Sequence, residues 1–113
     1  MTETFNVLVA EDEAFQRSAL LDILTLCEFE AVAYENGKLA LEALRDPTNN
    51  FDLVLLDLNM PEMDGFEVLS HMKDDPRLKE IPVVIMSAND SNEVIGDALK
   101  MGAKDFLVKP IRI

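Results

Sequence analysis

The most informative segment of this 113-residue sequence is Leu53-Val54-Leu55-Leu56-Asp57-Leu58-Asn59-Met60-Pro61-Glu62-Met63-Asp64-Gly65. Its first four residues form a continuous aliphatic run, which is typical of a strand that is buried on both faces of a parallel sheet. Asp57 follows this run directly. Because a carboxylate next to core residues needs a compensating partner, the segment predicts a buried strand that ends in a functional acid.

Other apolar runs of strand length lie on either side of this segment, at residues 5–10, 31–34, 83–86 and 106–108. Residues 14–27 have helical spacing, with one apolar stripe made of Phe15, Ala19, Leu20, Ile23, Leu24 and Cys27. Shorter helices are predicted around three apolar sets: Leu41 and Leu44; Val68, Leu69 and Met72; and Val94, Ile95, Ala98 and Leu99. Asp90, with Glu93 three residues later, predicts the N-cap of the last helix, and Gly102 predicts its end.

Five strands that alternate with four helices predict an α/β fold, a doubly wound parallel sheet in a single domain over residues 1–113. The sequence ends shortly after Lys109, so a final helix behind the last strand is absent from this chain. We therefore expect an uncovered apolar strip beside the first helix. A longer natural protein would cover this strip with its own residues; otherwise a homodimer, or a dimer that exchanges a strand or helix, is expected to cover it.

Composition narrows the class of protein further. Hydrophobic residues make up 49% of the chain, and 10 basic against 22 acidic residues give a formal net charge of −12. This charge disfavours binding to nucleic acid or to an anionic membrane surface, and the hydrophobic share excludes intrinsic disorder. The single cysteine, Cys27, is predicted to be a buried apolar side chain rather than a redox centre. With no signal peptide and no internal disulfide, the chain is expected to be cytoplasmic.

Polar residues follow the predicted strands at their carboxyl ends, where open parallel sheets bind ligands. The residues that should converge there are Glu11, Asp12, Asp57, Ser87 and Lys109. A few carboxylate oxygens suit Mg²⁺, and an aspartate can act as a nucleophile toward phosphorus. Such a transfer needs its charge neutralised by a metal and a cation, and a hydroxyl for orientation. The set therefore predicts an aspartyl-phosphate site with Mg²⁺ or Mn²⁺ as its cofactor.

The same residues carry a family resemblance. Together with the loop Asn59-Met60-Pro61-Glu62-Met63-Asp64-Gly65, with Ser87-Ala88 and with Lys109-Pro110, they make the chain resemble the receiver domain of two-component response regulators, of the chemotaxis-regulator type, from Asn6 to Pro110. The resemblance implies the strand order 2-1-3-4-5, which flavodoxin and the chemotaxis regulator share.

Specific roles follow from this resemblance. Asp57 would accept the phosphoryl group. Asp12, Asp57 and the backbone carbonyl of Asn59 would bind the metal, and Glu11 would act on it through water. Lys109 would pair with a phosphoryl oxygen, and its peptide bond to Pro110 would be cis.

The resemblance also implies a switch. Ser87 would hydrogen-bond the phosphoryl group and move inward, and Phe106 would swing inward with it by packing alone. Ala88 would leave the pocket open to the phosphodonor. Asn59 and Asn89 would tune the lifetime of the phosphate.

A signalling role is the leading hypothesis: transfer from a histidine kinase or a histidine phosphotransfer protein, which switches a protein-interaction surface. The domain would not be an enzyme beyond self-catalysed phosphotransfer and slow self-dephosphorylation. A phosphohydrolase would be expected to carry a second acid two residues after the nucleophile, where this chain has Asn59. Flavodoxin-like nucleotide binding would need a phosphate-cradling first loop, which here is acidic. A pseudo-receiver, or a truncated interaction module without productive output, is the remaining alternative.

Overall fold

A five-stranded, entirely parallel sheet forms the centre of the computed structural model, which describes residues 4–111. Its strands are β1 (Asn6–Ala10), β2 (Glu30–Tyr34), β3 (Leu53–Asp57), β4 (Val83–Ser87) and β5 (Asp105–Val108). Their order in the sheet is β2-β1-β3-β4-β5. This is the order that the family resemblance implies, and it places β3 at the middle, where continuous aliphatic runs are buried from both sides.

Four helices connect the strands: α1 (Ala14–Leu26), α2 (Gly37–Arg45), α3 (Gly65–Lys73) and α4 (Asn92–Lys100). Side chains cap three of them. The side chain of Asn36 accepts a hydrogen bond from the backbone of Leu39, and Asp64 forms a capping box with Glu67 at the start of α3. Gly102 has φ +104° just after α4, which confirms the predicted helix end.

The sheet is covered unequally on its two faces. On one face, Leu8, Val54 and Leu56 pack with apolar residues of α2, α3 and α4. On the other face, Val7, Val9, Leu55 and Met86 meet buried residues of α1 alone, among the described residues.

An open apolar groove therefore lies beside α1, as the sequence predicts. It has a volume of about 470 Å³ and is lined by Phe15, Ala19, Ile23, Pro110 and Ile111, among others. Phe15 is 80% exposed. No helix follows β5 within residues 4–111.

Three predictions about the last helix and about Cys27 are wrong, the burial of the helix only in part. Ser91, not Asp90, is the N-cap of α4, because Asn89 accepts a hydrogen bond from the Ser91 amide and this turn delays the helix by one residue. Of the four predicted core residues of α4, Ala98 is buried, Val94 is half-buried against the core and Ile95 is half-buried, whereas Leu99 is 48% exposed. The helix lies over the β5 edge of the sheet, so less of its surface is covered. Cys27 is exposed, because it follows the last residue of α1.

None of the helices in the described part of the chain is long and apolar enough to cross a membrane.

Candidate functional site

Three carboxylates meet at the carboxyl edge of the sheet. Because β1 and β3 are neighbours in register, with Ala10 beside Leu56, the residues that follow them come together. Ligand oxygens of Glu11, Asp12 and Asp57 all lie within 4.8 Å of one another. Glu11 and Asp57 are buried, whereas Asp12 is exposed. The structure thus gathers all three acids that the sequence places at strand ends.

Glu11 is the most deeply buried of these acids, with no exposed surface. One carboxylate oxygen, Oε2, accepts a hydrogen bond from the Glu13 amide at 3.1 Å, and the other, Oε1, accepts one from Lys109 Nζ at 2.5 Å. Burial, reinforced by the neighbouring Asp57 carboxylate, raises the pKa of Glu11 from 4.5 to about 7 despite these two donors. Glu11 therefore loses its proton near neutral pH rather than near pH 4.5.

Lys109 is the cation of the site. It follows β5, and its Nζ donates to Asp57 Oδ2 at 2.9 Å as well as to Glu11. Burial alone would lower the pKa of Lys109, but the hydrogen bonds to Asp57 and Glu11 outweigh it and the pKa is raised. The ammonium group therefore stays charged between the two acids. The peptide bond from Lys109 to Pro110 is cis, as the sequence resemblance implies.

Asp57 is 4% exposed and sits at the tip of β3. Its Oδ1 accepts a hydrogen bond from the Asn59 amide at 3.2 Å, while Oδ2 faces Lys109. Each oxygen of this carboxylate thus has a separate donor, which fixes the side-chain orientation. Asn59 itself is exposed, two residues beyond Asp57.

Ser87 ends β4 on the same edge and is 1% exposed. Its Oγ accepts a hydrogen bond from the Asn89 amide at 3.0 Å, and its backbone carbonyl accepts one from the Lys109 amide at 2.9 Å. The hydroxyl proton of Ser87 is consequently not engaged in that bond. Ala88 and Asn89 are exposed beside it, and Phe106 is half-buried against the core on the α4 side.

Two groups, one in the first loop and one in α1, support the site although the sequence pattern does not predict them. One is the Glu13 amide, which bonds Glu11 through the backbone and so leaves no signal in the residue type. The other is Arg17, whose guanidinium donates to the backbone carbonyls of Glu11 at 2.9 Å and Asp12 at 3.3 Å. The available signal for Arg17 is spacing, since the first turn of α1 brings it back toward the loop.

The donor set fits a hard divalent cation. Carboxylate oxygens are the ligands that Mg²⁺ and Mn²⁺ prefer, and Mg²⁺ needs only one or two of them besides water. Soft ligands are not part of the cluster, whose members are three acids.

Known proteins with the same arrangement of elements include members of one signalling family. The model of the response regulator receiver domain family matches residues 7–113. Among curated proteins, the two-component response regulator ORR5 of Oryza sativa subsp. japonica is 41% identical over 107 residues, which cover 95% of this chain and 79% of that protein.

Two solved structures are informative. The phosphorylated cyanobacterial phytochrome response regulator RcpA is 30% identical with a TM-score of 0.87, covering 95% of this chain and 81% of its own. The Mn²⁺-bound form of the response regulator Rcp1 is 26% identical with a TM-score of 0.85, covering 96% of this chain and 84% of its own.

Proposed function

This chain belongs to the response regulator receiver domain family, and from that premise we propose that it accepts a phosphoryl group on Asp57. The donor would be a phosphohistidine on a histidine kinase or a histidine phosphotransfer protein, and the transfer would depend on Mg²⁺. One observation carries the proposal: a buried aspartate at a strand tip lies between a lysine at 2.9 Å and two further carboxylates.

Asp57 and the two groups that donate to its carboxylate have separate tasks in the transfer. A carboxylate oxygen attacks phosphorus, the phosphorus–nitrogen bond of the donor breaks, and the imidazole leaves with the electron pair of that bond. Lys109 already contacts Oδ2, so its ammonium group would neutralise an equatorial phosphoryl oxygen as the new bond forms. The Asn59 amide holds Oδ1 and keeps the carboxylate aligned for attack.

Asp12, Asp57 and the Asn59 carbonyl would hold the cation, with Glu11 acting through water. When bound, the cation supplies charge neutralisation for the phosphoryl oxygens. Asp12 is exposed to solvent and so is accessible to a hydrated cation. Glu11 is enclosed and kept in place by the Glu13 amide and Lys109, which suits it to act through water.

Ser87 would link phosphorylation to output. Its hydroxyl is at the same edge as Asp57 and can turn toward a phosphoryl oxygen. Inward movement of Ser87 would let Phe106, which is half-buried, pack more deeply and change the surface formed by α4 and β5. The side chains of Asn59 and Asn89 flank the site and would set how long the phosphate persists.

The proposal is tested by intact mass after incubation with Mg²⁺ and a small acyl phosphate. We expect an added phosphoryl mass on the wild-type chain and its loss in Asp57→Asn. The matched control is Asp22→Asn, which changes an exposed aspartate on α1 away from the site and should leave the adduct unchanged.

An adduct that persists in Asp57→Asn would overturn the assignment of the phosphoacceptor. A wild-type chain that forms no adduct with any acyl phosphate, in the presence of Mg²⁺ or Mn²⁺, would favour the pseudo-receiver alternative.

A further inference from the structure

The first residue of α2 packs against the loop that follows Asp57. Gly37 is buried, and a Cβ atom built on it would overlap the backbone oxygen of Met63 and lie 2.8 Å from Cγ2 of Val68. A Cβ atom essentially never lies within 3.0 Å of a heavy atom of a residue that is not its chain neighbour. A side chain at this position would therefore have to displace the loop, the helix or both.

Position 37 requires glycine because there is no room for a Cβ atom. Gly37 begins a regular helix whose N-cap, Asn36, is extended with φ −153° and is anchored by its bond to the Leu39 amide. Alanine adopts helical backbone as readily as glycine and is more favourable in a helix. The requirement at this position is consequently the close approach to Met63, not backbone conformation.

The loop that Gly37 touches is closed on itself. The Gly65 amide donates to the Leu58 carbonyl at 3.0 Å, and within the loop the Met63 amide donates to the Pro61 carbonyl at 2.7 Å. Glu62, which lies between Pro61 and Met63, has φ +69°, close to the value of about +75° found at the centre of the rare γ-turn of positive φ. These two bonds tie Met63 to Pro61 and Gly65 to Leu58, so a displacement at Met63 acts on a segment that is anchored next to Asp57.

That other end is Asn59, whose amide fixes Asp57 Oδ1. The loop is thus supported at Asp57 on one side and at Gly37 on the other.

We propose that Gly37 is a positioning residue for the divalent cation site: its bare Cα lets the start of α2 act as a rigid support behind Met63, and this support holds the Asn59 backbone in place to bind the metal. The inference rests on the proposed function, since it concerns the same metal site. It adds a contact from an element that contributes no ligand of its own.

The test is the variant Gly37→Ala, compared with Gly96→Ala. Gly96 is also a helical glycine, in α4, but a Cβ there meets nothing within 4 Å, so alanine should be tolerated. Isothermal titration with MgCl₂ gives the metal affinity of each chain directly. We expect Mg²⁺ binding to weaken about tenfold in Gly37→Ala, as is typical when support of a ligand is lost, and to stay within about twofold in Gly96→Ala.

The rate of phosphorylation by an acyl phosphate, measured against Mg²⁺ concentration, separates positioning from general damage. In Gly37→Ala, the Mg²⁺ concentration for half-maximal rate should rise, while the rate at saturating Mg²⁺ should return to near the wild-type value. A variant that had only lost folded protein would show a lower rate at every Mg²⁺ concentration, and this result would overturn the proposal.

A wild-type measurement covers the case in which Gly37→Ala does not fold. In a ¹⁵N-resolved NMR titration with Mg²⁺, the Gly37 amide should shift together with the amides of residues 59–60 and 62–65, and the Gly96 amide should not. If Mg²⁺ binds and shifts the loop but leaves Gly37 unchanged, the inference fails while the proposed function stands. If the wild-type chain binds no Mg²⁺ at all, the metal site of the proposed function fails as well.

Discussion

At the scale of single residues, the site is organised by the shared cation Lys109. Its Nζ bridges Glu11 and Asp57, so two buried acids use one ammonium group. The arrangement leaves Glu11 short of compensation, which is why burial still raises its pKa to about 7. Ionised Glu11 is therefore a cost to the metal-free fold, which the lysine offsets only in part.

A pH dependence of stability follows from this raised pKa. Between its ordinary pKa of 4.5 and about 7, Glu11 binds more protons in the native state than in the unfolded state. Its contribution to the free energy of unfolding is therefore present at pH 4.5 and is lost as pH rises to 7, by at most about 3 kcal/mol. Urea denaturation in EDTA should show this loss in the wild-type chain and a smaller one in Glu11→Gln.

Comparing the wild-type chain with Glu11→Gln separates the effect of Glu11 on stability from that of the other charged residues. The net charge of −12 also disfavours the fold as pH rises, and both chains share that contribution almost equally. Lys109 does not contribute in this range, because its raised pKa lies above an ordinary value of 10.5. If the free energy of unfolding fell equally with pH in both chains, Glu11 would already be ionised at pH 5 and the prediction would be wrong.

At the scale of elements, the corner between β1 and α1 is held by a side chain of the helix itself. Arg17 donates to the backbone carbonyls of Glu11 and Asp12, which are two of the three acids of the site. Arg77 makes similar contacts elsewhere: it donates to the carbonyls of Leu44, Arg45 and Asp46 at the end of α2. Both arginines donate to backbone carbonyls, but only the segment that Arg17 binds contains acids of the site.

We therefore predict different effects of Arg17→Met and Arg77→Met on Mg²⁺ affinity. Arg77→Met should lower the free energy of unfolding by about 1 kcal/mol and leave Mg²⁺ affinity unchanged, because its loop bears no acid of the site. Arg17→Met should weaken Mg²⁺ binding severalfold through a looser first loop. Calorimetric titration and urea denaturation of both variants check this; equal Mg²⁺ affinities would contradict it.

At the scale of the whole molecule, the sheet order brings the site and the open groove together. The polar groups of the site lie at the carboxyl edge of β1, β3, β4 and β5, and the groove beside α1 reaches this edge, where Glu11 and Lys109 line it. Covering that groove would remove the exposed ring of Phe15 from water, which is favourable for apolar surface. The net charge of −12 opposes the approach of a second copy.

We predict self-association through this groove that strengthens with salt, because salt screens the repulsion between acidic copies. Light scattering should give a mean mass that rises with protein concentration, more steeply at high than at low NaCl concentration. Phe15→Ser should suppress the rise. Leu26→Ser, at a site on α1 that is 73% exposed but does not line the groove, should not. A monomer at every concentration would contradict the prediction.

Much of the fold and the site is predictable from local pattern. Buried runs such as Leu53–Asp57 indicate their own conformation, because both faces of a central strand must be apolar. The acids at strand ends are predictable for the same reason, since parallel strands deliver their carboxyl ends to one edge. The cap of α4 is not, because the Asn89 turn that selects Ser91 over Asp90 depends on where β4 ends.

What the amino-acid order determined by itself was the alternation of strands and helices, together with the identity of the residues at their ends, because hydrophobic periodicity is a local property. What tertiary structure alone decided was which groups touch: that Lys109 is shared by Glu11 and Asp57, that Arg17 turns back onto its loop, and that Gly37 lies against Met63. Such contacts join segments far apart in the chain or depend on side-chain direction. Only the packing of helices on the twisted sheet fixes those distances.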